Sequence, residues 1–330
     1  MSTISRSKSS MKIIIWGHPL YSHTHSYVHS SYYKASKSMG HEVYWFHDQD
    51  YPKDFDYSNC LFITEGFADK NIPLNSSSTY YVMYCPSPKK YLDAGVKRYV
   101  DVRCVAKDHK DHIHFYSVDK STTQKVGPSC YYVPKTNEKV HIKNDYVDYT
   151  IDDFDKFYLS WATNLLPEEI NLDDVYKSRE NAIYFCGSLS GSGVCENLSN
   201  WMPFINECKK HGISFYHNDP WKNPLSDDKV KELVQRSVLG IDIRGPEHAR
   251  TGIITCRVFK NISYGHLGLT NSLEIYKELD GNCLYHKDPA QLFHRGMSER
   301  LNYDFIKKSM MYVKENHTYI NRINSMFSIL

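Results

Sequence analysis

The chain has 330 residues, 41% of them hydrophobic, with 40 Lys+Arg against 38 Asp+Glu and a formal net charge of +2, which is enough apolar material for two cores of ordinary domain size. The near balance of charge excludes a global field that would gather nucleic acid or an anionic membrane, and no run approaches the ~18 apolar residues that cross a bilayer. Nine cysteines are scattered without a Cys-x-x-Cys pair, so neither a disulfide framework nor a zinc knuckle is indicated, and reduced thiols in a soluble, cytoplasmic protein are expected.

Met1 to Ser10 is Ser-rich and basic without the apolar centre of a secretory signal, and a disordered start is expected over 1–10. Lys12 to Trp16, closed by Gly17, is a β-branched apolar run that fits a first parallel strand buried on both faces. A helix from Tyr27 to Met39 and a strand from Glu42 to Phe46 complete a strand-helix-strand opening. Cys60 to Thr64 and Tyr80 to Tyr84 predict further strands, and Tyr99 to Ala106 and Ile113 to Val118 continue the sheet, whereas Ser121 to Lys143 has the pattern of irregular surface structure. The character changes near Ile151 to Asn171, where Asp152, Asp153 and Asp155 precede an apolar stretch through Trp161 to Pro167. A second series then starts with the strand Ala182 to Gly187 and a helix whose apolar face is Leu198, Trp201, Met202 and Ile205. Ile213 to Tyr216 predicts a strand, and Ser226 with Asp227 and Asp228 a helix start. The strand Val238 to Ile243, the helix Ile253 to Tyr264, the strand Leu267 to Asn271 and helices near Pro289 to Glu299 and Tyr303 to Glu315 follow. The predicted organisation is a first lobe over 11–155, a crossing over 156–175, a second lobe over 176–316, and a terminal helix over 317–330 packing back on the first lobe.

Three groups of residues carry chemistry. Gly187 to Gly193, with Ser188, Ser190 and Gly191 inside it, joins a buried strand to a helix, so its backbone N–H groups and hydroxyls are placed to meet an anion. Arg244, Arg250 and Arg257 follow the next strand, and a guanidinium matches a diphosphate bidentately and stays charged at every physiological pH. Arg257 heads an otherwise apolar helical face of Ile254, Val258 and Ile262. In the first lobe, His18, His23 and His25 follow the first strand, at the end where open α/β sheets bind ligands, and histidine titrates near neutrality as a general base must. Glu65 is a carboxylate alternative at the end of another strand. Asp108 to His114 holds three histidines but no known ligand spacing, and an exposed polar loop is the better account.

Arg257 to Gly265, Gly187 to Gly193, Trp161 to Pro167 and His317 to Arg322 together resemble the donor-site helix, Gly-Ser loop, interlobe crossing and final His-Thr-Tyr-x-x-Arg helix of the spore-coat glycosyltransferase-like group, and the second lobe resembles glycosyltransferase group 1 domains. The resemblance implies two Rossmann-like α/β lobes with parallel sheets facing a cleft, the GT-B architecture. It also implies transfer of a hexosyl or pentosyl group from a nucleoside diphosphate sugar to a hydroxyl acceptor, with a glycan expected in that role. Donor contacts would come from Gly187, Ser188, Ser190, Gly191, Arg244, Arg250, Arg257, Lys260 and Asn261, with protein cations rather than a metal or other cofactor balancing the leaving group. The sequence departs from that group at Lys260, where such enzymes carry the glutamate that receives the donor ribose hydroxyls; Asn261 is placed to take over those hydrogen bonds. An epimerase of the same architecture and a non-catalytic nucleotide-sugar binding protein are the alternatives.

Overall fold

The structure is a computed structural model that describes residues 10–83, 87–103, 123–143, 148–189, 198–246, 248 and 252–330. Its first strand, β1 (Lys12–Trp16), has its last four residues buried because it lies inside a parallel sheet covered on both faces. Helix α1 (Ser26–Ser38) carries the chain across to β2 (Glu42–Phe46), and β1 also pairs with β3 (Leu61–Glu65), every residue of which is buried. β4 (Thr79–Met83), helix α2 (Pro88–Asp93) and β5 (Arg98–Arg103) extend the parallel set. Alternation along β1 divides its side chains between two cores. Ile13 and Ile15 join α1 on one face, while Ile14 and Trp16 meet Phe62, Tyr80 and Tyr91 on the other. Each such apolar side chain contributes about 1.5–3 kcal/mol on burial.

The stretch from Ser121 to Lys143, expected to be irregular, contains β6 (Gln124–Gly127), β7 (Cys130–Val133) and β8 (Lys139–Lys143). β8 and β9 (Asp148–Asp152) form a separate antiparallel ribbon. β10 (Asp155–Leu159) rejoins the main sheet, giving eight strands in the order β2-β1-β3-β4-β5-β10-β7-β6. β6 and β8 expose much of their length, so their sequence lacks the apolar run that marks an interior strand. The first sheet thus reaches Leu159, inside the stretch expected as crossing. The expected strand Ile113 to Val118 and the Asp108 to His114 loop lie outside the described residues.

In the second lobe β11 (Ala182–Cys186) leads to α3 (Leu198–Lys210), β12 (Ser214–Asn218) and α4 (Asp227–Arg236), with β11 and β12 parallel. Ser226 caps α4 by accepting from the Lys229 N–H, as its sequence context predicts. β13 (Ile241–Asp242), α5 (Arg257–Ser263), β14 (Leu269–Thr270), α6 (Leu273–Glu278) and β15 (Leu284–Tyr285) follow, the three strands again parallel. The strand expected from Val238 shrinks to two residues, and the helix expected from Ile253 starts at Arg257, with Cys256 as its N-cap. Val238 N–H donates to Ala182 O at 2.8 Å, joining the β11 and β13 segments along one layer. Helices α7 (Pro289–Glu299) and α8 (Tyr303–Asn316) close the lobe, and α9 (Tyr319–Phe327) returns to the first lobe, where Tyr319, Ile323 and Met326 share a core with Val28 and Tyr32 of α1.

The crossing is held by the motif His317 to Arg322. Arg322 is fully buried and donates to Ser160 O, Ser160 Oγ, Trp161 O, Pro128 O, Asn316 O and His317 Nδ1, all between 2.9 and 3.1 Å. Burial of its charge is tolerated because acceptors surround the guanidinium. The His317 ring stacks on Phe259 of α5 at 4.6 Å, and Thr163 Oγ1 meets Ser263 Oγ at 2.7 Å, so α5 is tied to the crossing at two points.

Candidate active site

A cleft of about 270 Å³ lies between the lobes. Thr24, His25 and Tyr27 line it from the first lobe, and Gly187, Ser188, Arg257, Lys260 and Asn261 from the second, with Trp161 of the crossing between them. Tyr27 spans the two walls directly, its hydroxyl donating to Leu225 O at 2.8 Å.

The first-lobe wall is organised by Glu65, the last residue of β3, whose side chain is completely buried. Being an acceptor, the carboxylate takes protons from rings around it. His18 Nε2 donates to Oε1 at 2.5 Å, and His25 Nδ1 donates to Oε2 at 2.8 Å. The buried ring of His29, one turn along from His25, places Nε2 3.7 Å from Oε2, and its Nδ1 accepts the His18 backbone N–H at 3.1 Å. That packing requires a glycine at position 17, because a Cβ there would lie 2.1 Å from His29 Cε1. Burial alone would raise the Glu65 carboxyl, but the hydrogen bonds from His18 and His25 outweigh it and hold the group well below its ordinary range. Burial, aided by His25 and His18, lowers His23 to about 4. His29 is lowered to about 4 by burial, against the opposing pull of Glu65. His23 stacks on His18 at 4.0 Å and meets Trp221 of the second lobe edge-on at 4.7 Å. Of the three histidines expected to supply a base, His25 is the one among the residues lining the cleft.

The second-lobe wall is organised by Asp242, the last residue of β13, also completely buried. Arg244 donates to it through Nε at 2.9 Å and through Nη2, and Nη2 also reaches Thr255 Oγ1 at 2.5 Å. Arg257 Nε stands 3.7 Å from the same carboxylate, its Nη1 donates to Cys186 O at 2.5 Å, and its guanidinium lies 4.3 Å over the Phe185 ring. Gly187 makes room for it, since a Cβ there would fall 2.2 Å from Arg257 Nη2. Arg244 and Arg257 therefore do converge, but Arg244 is committed to Asp242 and Thr255, while the Arg257 side chain retains 27% exposure towards the cleft. Lys260 is not a free cation: Asp227 Oδ1 lies 3.0 Å from Nζ. Burial would lower the Lys260 ammonium, but Asp227 more than offsets this and holds it well above the usual range. Asn261 is buried at the cleft, and its Nδ2 has no hydrogen-bond partner among the described residues. Arg250, Ser190 and Gly191 lie outside the described residues.

Sequence reasoning did not single out His29, Asp242 or Asp227. His29 carries the one signal available, a histidine one helical turn after His25; the two aspartates are ordinary strand-end and helix-start residues until the fold sets them against Arg257 and Lys260.

Two Rossmann-like α/β lobes that share a cleft, histidines on one wall and arginines on the other, give the fold class: the GT-B arrangement. Among solved structures, an alpha,alpha-trehalose-phosphate synthase (UDP-forming) from Burkholderia vietnamiensis is similar over 78% of this chain and 74% of its own, with a TM-score of 0.47 and 8% sequence identity. The sequence matches no protein-family model, and no curated protein matches it. The likeness to the spore-coat glycosyltransferase-like group rests on the motif residues alone. Among the described residues no helix is long and apolar enough to cross a membrane.

Proposed function

We propose that the protein transfers a sugar from a nucleoside diphosphate sugar to a hydroxyl acceptor, with a glycan the expected acceptor class and a reducing, cytoplasmic compartment its setting. One observation carries the reading: a single cleft has His25, oriented by a buried carboxylate, on one wall and Arg257, seated on the end of β11, on the other. Sugar transfer needs both functions at once, a base for the attacking hydroxyl and a fixed positive charge for the departing diphosphate. Arg257 is the cation assigned to the diphosphate, with Ser188 lining the same cleft and the Asn261 amide, unpartnered among the described residues, available to a donor hydroxyl or carbonyl. Charge balance is assigned to these protein groups and not to a metal. Pairing with Asp227 means that Lys260 adds no net charge to the wall.

A thermal-shift screen of nucleoside diphosphates and their sugars tests the donor half. A ligand at a hundredfold excess over its Kd stabilises the folded state by about 2.7 kcal/mol. Arg257→Ala is expected to abolish the shift given by the best ligand while leaving the ligand-free transition in place. An unchanged shift in that variant overturns the assignment.

A further inference from the structure

We infer that the second lobe carries a zinc site on its outer surface, formed by Glu207, His211 and His294, which clamps α3 to α7. Glu207 lies in the last turn of α3, and His211 follows that helix directly, four residues on and therefore on the same face. His294 comes from α7 beside them. None of the three lines the cleft, so the site stands or falls apart from sugar transfer.

One ring nitrogen of each histidine and one carboxylate oxygen of Glu207 lie within 4.8 Å of one another. His294 Nε2 is 3.1 Å from Glu207 Oε2, and tetrahedral zinc, with bonds of about 2.0–2.1 Å, holds neighbouring ligand atoms about 3.3 Å apart. His211 Nδ1 donates to Glu207 O at 2.9 Å, which puts the lone pair of the neutral ring on Nε2; a backbone carbonyl that fixes the other nitrogen is the usual support of a ligating histidine. The two rings lie 5.5 Å apart and are half-exposed, so small rotations bring both onto one ion. Lys210 Nζ donates to Glu207 Oε1 at 2.6 Å and holds the carboxyl below its ordinary range, leaving Oε2 turned to the imidazoles. The C-terminal end of α3, whose last carbonyls favour a cation, offsets part of the repulsion from that ammonium. Beneath the donors Phe204 and Phe293 are fully buried and meet edge-on at 5.5 Å, and Phe293 touches His211 at 5.1 Å and His294 at 5.4 Å. Both helices therefore present their donors from a packed base. Two imidazoles and a carboxylate suit zinc and leave a fourth position to water. On binding, zinc takes the place of the proton that His294 Nε2 would otherwise hold towards Glu207, and that proton is released.

The test uses the metal alone. The full chain, freed of any affinity tag and stripped with a chelator, is titrated with Zn²⁺ by calorimetry and with Co²⁺ by visible absorption. One equivalent is expected at this site, with the d–d bands of tetrahedral cobalt and no thiolate-to-cobalt charge transfer, since the ligand set holds no sulfur. His211→Ala and His294→Ala change half-exposed side chains, so the metal-free thermal transition should stay in place, while each raises the zinc Kd by about a hundredfold. Zinc should raise the melting temperature of the parent chain and not of the two variants. A chain that takes up no zinc overturns the site. So does one whose zinc Kd and cobalt spectrum are the same in the parent and in both variants, because the bound metal then lies elsewhere.

Discussion

The two walls of the cleft are built on one plan with opposite chemistry. Each centres on a carboxylate that ends a parallel strand and is completely buried, Glu65 on β3 and Asp242 on β13. Around Glu65 stand imidazoles, a side chain that can take up or give back a proton; around Asp242 stand guanidinium groups, which stay charged. A wall that handles a proton must be able to change its protonation, and a wall that steadies a diphosphate must not. The buried carboxylate serves both by fixing the donors around it.

The largest expected effect comes from removing the anchor of the second wall. Asp242→Ala leaves Arg244 buried without its counter-charge and removes the carboxylate beside Arg257, at a cost of about 3–5 kcal/mol. Urea denaturation should show that loss together with loss of nucleotide binding; a variant of unchanged stability would show that Asp242 does not organise its wall.

The two glycines sharpen the comparison, because each admits a side chain of one wall only. Gly187→Ala puts a methyl group 2.2 Å from Arg257 Nη2, and since a flexible side chain can give way, the fold should survive while nucleotide Kd rises about tenfold, the equivalent of about 1.4 kcal/mol. Gly17→Ala puts a methyl group 2.1 Å from the buried His29 ring and should lower kcat by about tenfold or more, at nearly unchanged nucleotide Kd, by disturbing the oriented base. Calorimetry and steady-state rates on both variants would break the division of labour if the two effects were exchanged.

The two walls also differ in acid sensitivity. His29 has its folded pKa depressed from 6.5 to about 4, so the unfolded chain binds the extra proton between those values. Its contribution to stability is full above pH 6.5 and is lost as pH falls towards about 4. Glu65, held low, acts in the same direction below the ordinary carboxylate range. One proton changes the slope by about 1.4 kcal/mol per pH unit, and the stability of His29→Gln between pH 6.5 and 4.5 should fall less steeply by about that amount. The arginine wall does not titrate in this window, so Arg257→Ala should leave the slope as it is.

How far the sequence could be read differs along the chain. Lys12 to Trp16 and Ala182 to Cys186 were legible because a strand buried on both faces must be continuously apolar. β6 and β8 were not, because strands that leave much of their length exposed mix polar and apolar residues like a loop. The helix start at Ser226 was legible from capping chemistry, whereas the expected Ile253 start failed because apolar spacing continues through residues that the fold holds out of the helix. Among the site residues, Arg257 was set apart by heading an apolar helical face, whereas His25 was one of three histidines of equal standing. That Arg244 is held by Asp242 and Thr255 was not legible, because neither partner is its neighbour in a local pattern that marks an ion pair.

By itself, then, the sequence determined the two α/β series and the strand ends at which chemistry gathers, because apolar periodicity and capping act over a few neighbouring residues. Tertiary structure alone decided which histidine faces the cleft, which arginine keeps an exposed edge, and that Lys260 is neutralised by Asp227. Those outcomes depend on pairings between residues distant along the chain, His25 with Glu65 and Lys260 with Asp227, and no local pattern records which partner a charged side chain will meet once the backbone has folded.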